Sequence, residues 1–143
     1  MAEIRLRQAK RIITSVLAAA AEHDLKPLAV VVLDAGGHVK AFERQDGASN
    51  LRFQIAHGKA YGAIGFGVGS RVLADRAVEQ PHFVGALAGT FGDQLIPAPG
   101  GVLIRDKKGN LLGAVGVTGD ISDNDEAAAV AGIEAAGLTA EPG

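Results

Sequence analysis

The sequence predicts one α+β domain in which about five antiparallel strands form a sheet flanked by helices at both chain ends. Two pairs of short apolar runs, each pair separated by a glycine-containing turn, predict two β-hairpins. Segments with helical periodicity or high alanine content near both ends predict the flanking helices. The length of 143 residues suits a single hydrophobic core and leaves no room for a second domain.

The first part of the chain predicts a helix followed by a hairpin. From residue 4 to about residue 23, apolar side chains recur three and four positions apart, which is the spacing of one helical face. The continuous run LAVVVL at 28–33 and the alternating run HVKAFE at 38–43 predict two strands. Asp34 opens the Asp-Ala-Gly-Gly segment between them, and we expect its side chain to cap that turn.

The next part predicts two helical pieces. The first is expected from residue 50 to about residue 65. Four glycines between 62 and 69 loosen the chain, so we expect a bend there before a further helical piece at 70–77.

A short helix and a short strand are expected after this bend. Pro81 suits the first turn of a helix over 81–88, because proline's missing N–H has no partner to lose at that position. Gly89 and Gly92 are expected to end the helix. A strand at 94–96 would complete the sheet.

The last third predicts the second hairpin and the final helix. The runs GVLIR at 101–105 and LLGAVGV at 111–117 flank a turn whose Gly-Asn pair tolerates positive φ. The alanine-rich segment from 122 to about 136 opens with Ser122 and Asp125 in an S-x-x-D pattern, which indicates a capped helix start.

Composition excludes several classes of function. The net charge of −2 and pI near 6.1 offer no basic surface for nucleic acid or an anionic membrane. The absence of cysteine excludes disulfides, thiol nucleophiles and cysteine-based metal sites. Because no apolar stretch reaches about 18 residues, we expect a cytoplasmic protein. The 20 glycines and few aromatic residues indicate a core of small side chains, which we expect a partner subunit to complete in a homo-oligomer.

Lys59 is a candidate binding or catalytic residue on the second helix. It adjoins the side marked as buried by Ile55, Ala56 and Ala60, so its ammonium can reach a pocket edge and hold an anion. The alternative, which composition favours, is a surface lysine. His57 lies two positions earlier and therefore about 200° around the helix, so the two side chains cannot face one pocket.

Arg44 is a second candidate, at the end of a predicted strand. Its guanidinium can bind a carboxylate through two parallel hydrogen bonds. The alternative is a local pair with Asp46 or Glu43 at the turn.

Carboxylates are concentrated at the start of the last helix. Capping and the helix dipole explain part of this, but they do not require so many acidic groups. The remaining alternatives are a general acid or base and a hard-cation site. We predict no metal, because the spacing differs from the twelve-residue calcium loop. The polar residues concerned are Asp120, Ser122, Asp123, Asp125 and Glu126.

The four histidines show no zinc-binding spacing, although any one of them could ligate haem iron. The glycine-rich segment 65–70 fits no phosphate-binding loop, and no serine lies in a G-x-S-x-G elbow. Nucleotide binding and serine hydrolase chemistry are therefore not indicated.

Three stretches resemble the GlcG/HbpS family, also called domain of unknown function 336 or the haem-degrading family. They are KPLAVVVLDAGGHVKAFERQDGA, IAHGKAYGA and PAPGGVLIRDKKGNLLGAVGVTGDISDNDEAAAVAG, and they occur in the order of the family. The resemblance implies a profilin-like fold with a five-stranded antiparallel sheet, and assembly into homo-oligomers. It also implies a pocket bounded by the segments that carry Arg44, Lys59, Gly100, Gly101, Thr118 and Asp125.

The resemblance favours a small-ligand-binding protein, with haem or a related tetrapyrrole as the best single candidate ligand. His57 and Asp120 join the pocket residues as predicted ligand contacts. One alternative is an enzyme of small organic acid or aromatic catabolism, in which Lys59 and Arg44 orient an anionic substrate and Asp125 moves a proton. Another is an oligomeric scaffold or regulatory subunit. Whether the protein is an enzyme is left open by the sequence.

Overall fold

The computed structural model describes residues 3–143, which form five α-helices and five β-strands. The helices are α1 (Leu6–Glu22), α2 (Arg52–Phe66), α3 (Ser70–Glu79), α4 (Pro81–Phe91) and α5 (Ser122–Ala135). The strands are β1 (Ala29–Asp34), β2 (Val39–Arg44), β3 (Gly101–Arg105), β4 (Leu111–Thr118) and β5 (Thr139–Glu141). The predicted α+β class is confirmed. None of the helices within residues 3–143 is long and apolar enough to span a bilayer.

The strands form one antiparallel sheet in the order β2-β1-β4-β3-β5. Both predicted hairpins are present, and β1 and β4 pair at the centre of the sheet to join them. The register pairs Ala29 of β1 with Arg44 on one side and with Thr118 on the other. The last residues of β2 and β4 therefore lie at the same end of the sheet.

Successive residues of a strand point to opposite faces of the sheet. Both faces are covered by helices, so each strand contributes side chains to two cores. Val30 and Val32 belong to the larger core beneath α1 and α5, whereas Val31 and Leu33 belong to the smaller core beneath α2. The buried positions of α1 are spaced three and four apart, as predicted, at Ala9, Ile12, Ile13, Val16 and Ala20.

The predicted strand at 94–96 is wrong. The chain makes a 3₁₀ turn at Gly92–Gln94, and the next two residues pack against α2 instead of joining the sheet. Leu95 fills the space beside Gly62, where an added Cβ would lie 2.8 Å from the Leu95 side chain. Ile96 donates its backbone N–H to the carbonyl oxygen of Gly58 at 3.1 Å. The fifth strand is β5, which pairs with β3 and has only three residues, too few for a pattern to indicate it.

Two local predictions have different outcomes. The cap on the first hairpin turn is confirmed, since Asp34 Oδ1 accepts the backbone N–H groups of Gly36 and His38, each at 3.0 Å. The predicted end of α4 is wrong at Gly89, which lies inside the helix. Gly92 ends it, at a φ of 62° that glycine adopts without a steric penalty.

Candidate functional site

Helix α2 lies close to the start of β3 and the end of β4, because glycines on both strands let its backbone approach. Gly101 and Gly116 are paired across the two strands. A Cβ on Gly101 would overlap the carbonyl oxygen of Lys59, and a Cβ on Gly116 would overlap that of Ala56. A Cβ on Gly100 would lie 3.0 Å from Lys59 Nζ. These glycines therefore clear the path along which the lysine side chain runs.

Lys59 ends in a buried ion pair with Asp125. Its Nζ lies 3.4 Å from Asp125 Oδ2 and donates a hydrogen bond of 3.0 Å to the carbonyl oxygen of Val117. The two charged side chains are 3% and 1% exposed. The surface-lysine alternative is thus wrong, because α2 is too close to the sheet for this side chain to reach solvent. Two predicted site residues, 66 positions apart in sequence, are in contact.

Burial acts on both charges of this pair. Desolvation raises the pKa of Asp125, although the ammonium of Lys59 counteracts part of the effect. Desolvation lowers the pKa of Lys59, against the attraction of Asp125, and the nearby positive charge of Arg52 lowers it further. Each group therefore takes its neutral form more readily than it would in water, as groups that transfer protons often do.

Asp125 also organises the chain just before α5. Its second oxygen, Oδ1, accepts the backbone N–H of Asp120 at 2.9 Å. The helix begins at Ser122 as predicted, but the predicted cap is wrong. Ile121 occupies the capping position and makes no side-chain cap, so Ser122 is the first helical residue and Asp125 bonds the loop rather than the helix end.

Asp120 is engaged by the loops around it. Its carboxylate accepts the backbone N–H of Lys26 at 2.9 Å and both the backbone N–H of Ile121 and the side-chain amide of Asn124 at 2.8 Å. These hydrogen bonds, that of Lys26 first, lower the pKa of Asp120. Asp120 therefore ties the end of β4 to the segment before β1, and its predicted role as a ligand contact stays a prediction.

The other acidic residues of this helix start bind Arg71 of α3. The Arg71 guanidinium lies 2.6 Å from Asp123 and 2.9 Å from Glu126. Among the side chains that the structure describes, no group of three or more histidine, aspartate and glutamate residues is arranged to hold a metal ion. The concentration of carboxylates is thus explained by separate partners for each.

Arg52, the first residue of α2, belongs to this site although no sequence pattern identified it. Its guanidinium donates to the hydroxyl groups of Thr118 at 2.9 Å and Ser49 at 3.0 Å. Among the described residues no carboxylate pairs with it, and the side chain is half-buried. The available signal was its spacing, because positions seven apart share a helical face and Arg52 precedes Lys59 by seven.

Thr118 links this arginine to the sheet. It is buried at the end of β4, one residue after the carbonyl that binds Lys59. The site contains two positive charges, on Arg52 and Lys59, and one negative charge, on Asp125. Arg52, which bonds Thr118, is the positive group that reaches the surface. An anion would complete this arrangement.

Arg44 is not part of the Lys59–Asp125 contact. It is exposed and, among residues 3–143, makes no side-chain hydrogen bond or ion pair, so neither of its predicted local pairs forms. The register places it two strands from Thr118, a separation of about 10 Å between backbones. It lines an open groove of about 560 Å³ together with Ala20, Ala21, Leu25, Pro27, Gln45 and Asp46.

His57 lies on a different side of α2 from Lys59, as the helical spacing predicts. Its ring stacks on that of Tyr61 at 5.3 Å and lies 5.7 Å from that of Phe53, which in turn meets Phe42 edge-on at 4.8 Å. It is half-buried, whereas the other histidines, at 23, 38 and 82, are exposed. We call Phe42, Phe53, His57 and Tyr61 the aromatic row.

The sequence matches the model of a known protein family. The family model described as haem-degrading protein, HbpS-like, matches residues 4–134. No curated protein matches the sequence at a significant level.

Several solved structures share the whole fold. The structure of PduOC in complex with haem is 20% identical, covers 95% of this chain and 96% of its own, and superimposes with a TM-score of 0.85. ORFY of Klebsiella pneumoniae, a DUF336 protein, is 24% identical, with coverage of 96% and 92% and a TM-score of 0.86. A double mutant of HbpS from Streptomyces reticuli is 25% identical, with coverage of 94% and 88% and a TM-score of 0.81.

Proposed function

The chain belongs to the HbpS-like family, and from that premise we propose that it binds a small anionic ligand, with haem as the first candidate. The observation that carries the proposal is the half-buried guanidinium of Arg52, which has hydroxyl partners and no carboxylate partner among the described residues. A partly desolvated cation of this kind gains most from an anion, because charge-assisted hydrogen bonds are stronger than neutral ones.

Arg52 and the aromatic row lie on different sides of α2, and between them they offer the groups that haem requires of a protein. Haem presents two carboxylates, a flat apolar macrocycle and an iron that needs an axial donor. Arg52 suits a carboxylate, the aromatic row supplies apolar rings along the flank of α2, and the imidazole of His57 lies within that row. The fold is shared end to end with PduOC, whose solved structure contains haem. When bound, the iron would supply ligand-binding and electron-transfer chemistry.

A hemin titration tests this proposal. We expect a saturable shift of the Soret band with the wild-type protein. We propose His57 as the axial donor, so His57→Ala should change the band position and weaken binding by at least about tenfold. His82→Ala is the matched control, since that histidine is exposed on α4, and should bind as the wild type does.

Arg52→Gln tests the carboxylate contact separately. It should weaken hemin binding by about tenfold without moving the Soret band, because the charge acts on the propionates and not on the iron. Arg76→Gln is its control. Arg76 also lies on a helix, α3, but it is exposed and stacks over Phe83 at 5.9 Å. A titration without saturation would exclude haem as the ligand, whereas saturable binding that neither His57→Ala nor Arg52→Gln alters would exclude these two residues as its contacts.

A second candidate function rests on the Lys59–Asp125 pair. Its raised carboxyl pKa and lowered ammonium pKa are typical of groups that exchange protons with a substrate. We propose, as the alternative, an enzyme acting on a small hydroxylated carboxylate. Arg52 would bind the substrate carboxylate, and Asp125 would take the proton from the neighbouring carbon. Because the pair is buried, such a substrate has to displace the residues that cover it.

Deuterium exchange tests the enzymatic alternative without knowledge of the product. In D₂O, the protein should exchange one of the two α-protons of glycolate, or the α-proton of one enantiomer of lactate, because Asp125 would remove that proton and return a deuteron from solvent. Asp125→Asn should abolish the exchange. Asp123→Asn, which changes an exposed carboxylate on the same helix, should leave it unchanged. Equal exchange in both variants would contradict the role of Asp125.

A further inference from the structure

A cavity separate from the groove beside Arg44 lies near the C-terminal end of α2, between that helix and α4. It has a volume of about 140 Å³ and is lined almost entirely by apolar groups. Phe66 of α2 and Phe91 of α4 form one wall, with their rings edge to face at 6.4 Å. The lining residues are Tyr61, Gly62, Gly65, Phe66, Phe91, Gln94 and Leu95.

The floor of this cavity exists because two helical positions lack side chains. Gly62 is closely packed, since a Cβ there would lie 2.8 Å from Leu95. Gly65 is open, and a Cβ there would meet nothing within 4 Å. The bend that the sequence predicts over 62–69 is present at 67–69, between α2 and α3, whereas Gly62 and Gly65 lie within α2. Glycine costs helix stability at such positions, about 1 kcal/mol relative to alanine. A space for a ligand is therefore a reason for Gly65 that the bend does not provide.

We propose that this cavity binds a single aromatic ring with one polar substituent, phenol being the simplest example. The volume supports this, because an apolar protein cavity of about 150 Å³ accepts benzene. This cavity opens to solvent at Gly65, Phe66 and Phe91, which gives a ring access to it. The same volume excludes a four-ring macrocycle, so the site is separate from the one proposed for haem. Three aromatic side chains offer edge and face contacts to a bound ring. The amide of Gln94, which bonds no described residue, lies at the rim to meet the substituent.

The competing occupant is a second copy of the chain. Phe66 and Phe91 are 36% and 43% exposed, and exposed apolar groups often mark contacts between proteins. A concave space bounded by ring edges on one side and helix backbone on the other suits a small ring better than a flat subunit surface does. We therefore make self-association an outcome of the test.

The test is a titration of the ¹⁵N-labelled protein with phenol, followed through the backbone amides of Gly62 and Gly65. We expect saturable shifts at these two glycines and not at Gly109, which lies in the β3–β4 turn. Gly65→Leu fills the open space and should weaken phenol binding by at least about tenfold. Gly85→Leu is the matched control, because that helical glycine also faces open space but does not line the cavity, and it should bind phenol within about twofold of the wild type.

The polar contact has its own variant. Gln94→Leu should weaken phenol binding but leave toluene binding within about twofold, because toluene has no group for the amide to bond. If Gly65→Leu does not fold, Phe91→Ala removes one wall from an exposed position and should weaken both ligands.

Two results would overturn the proposal: shifts that rise linearly without saturation, and equal phenol binding by wild type and Gly65→Leu. If the second result comes with a change in self-association by light scattering, the cavity is a subunit contact. Failure of hemin binding has no bearing on these outcomes, since the two sites share no cation and only the ring of Tyr61.

Discussion

Replacing Lys59 with methionine should destabilise the protein by about 3–5 kcal/mol, because it leaves the buried carboxylate of Asp125 without its partner. Methionine keeps the approximate volume of the side chain, so the effect reflects the loss of the ammonium and not a change of packing. The measurement is the free energy of unfolding from urea denaturation near neutral pH. The same change also removes the donor to the Val117 carbonyl oxygen.

The chain offers a closely matched control in Lys40. Its Nζ lies 3.4 Å from Glu3, the same distance as in the Lys59–Asp125 pair, but these side chains are 30% and 46% exposed. Because water screens an exposed pair, Lys40→Met should cost at most about 1 kcal/mol. Equal losses in the two variants would mean that the Lys59 pair is as solvated as the surface pair.

The Lys59→Met variant should also depend on pH in a definite direction. Burial already raises the pKa of Asp125 in the folded protein above its ordinary value of 3.8, and loss of the ammonium removes an effect that lowers it. Between the unfolded and folded pKa values the native state binds the proton more tightly, so stability falls as the pH rises through that window. The gap between variant and wild type should therefore widen above about pH 4. Adding Asp125→Asn, which removes the charge, should restore much of the loss.

The second large effect is expected at Gly116, where alanine should cost about 3 kcal/mol or prevent folding. A Cβ there would overlap the carbonyl oxygen of Ala56 and lie 3.1 Å from the side chain of Ala60. The helix would have to move away from the sheet, and overpacking of this kind typically costs about 1–3 kcal/mol and occasionally more. Gly116 does not have a positive φ, so backbone strain does not confuse the result.

Gly85→Ala is the comparison for this change. It makes the same substitution on a helix where the added methyl group meets nothing, so stability should stay level or rise by up to about 1 kcal/mol. Thermal unfolding of the three proteins side by side is sufficient. A normal stability for Gly116→Ala would show that α2 has room above the sheet, and the close approach of this helix could then not be the cause of the burial of Lys59.

The elements predicted with long or regular patterns are those the structure contains. The 28–33 and 38–43 runs became β1 and β2, and the spacing of apolar residues located α1. The predictions that failed concern short or ambiguous segments. The segment 94–96 has enough apolar character for a strand, but α2 offers its backbone carbonyl at Gly58 and the space beside Gly62 as better partners.

The candidate site was predictable only in part. Lys59 and Asp125 were both identified from sequence, Lys59 by its place beside the buried helical side and Asp125 by its place in an acidic helix start. The family resemblance placed the segments that carry them around one pocket, but it did not predict that the two side chains are in contact, 66 positions apart in sequence. Arg52 was missed because its one signal, a spacing of seven from Lys59 on the same helical face, was not used. Arg44 lies apart from the pair, since β1 separates its strand from β4.

The amino-acid sequence by itself determined the α+β class, both hairpins, the order of the helices and the residue types available for chemistry. These depend on periodicity and turn chemistry, which act over a few neighbouring residues. Only the tertiary structure decided that Lys59 is buried and that Asp125 pairs with it instead of capping α5. It also decided that Arg52 donates a hydrogen bond to Thr118 and that β5 completes the sheet. Each of these depends on how closely α2, α5 and the strands approach one another, and that distance is set by contacts between glycines and backbone atoms far apart along the chain.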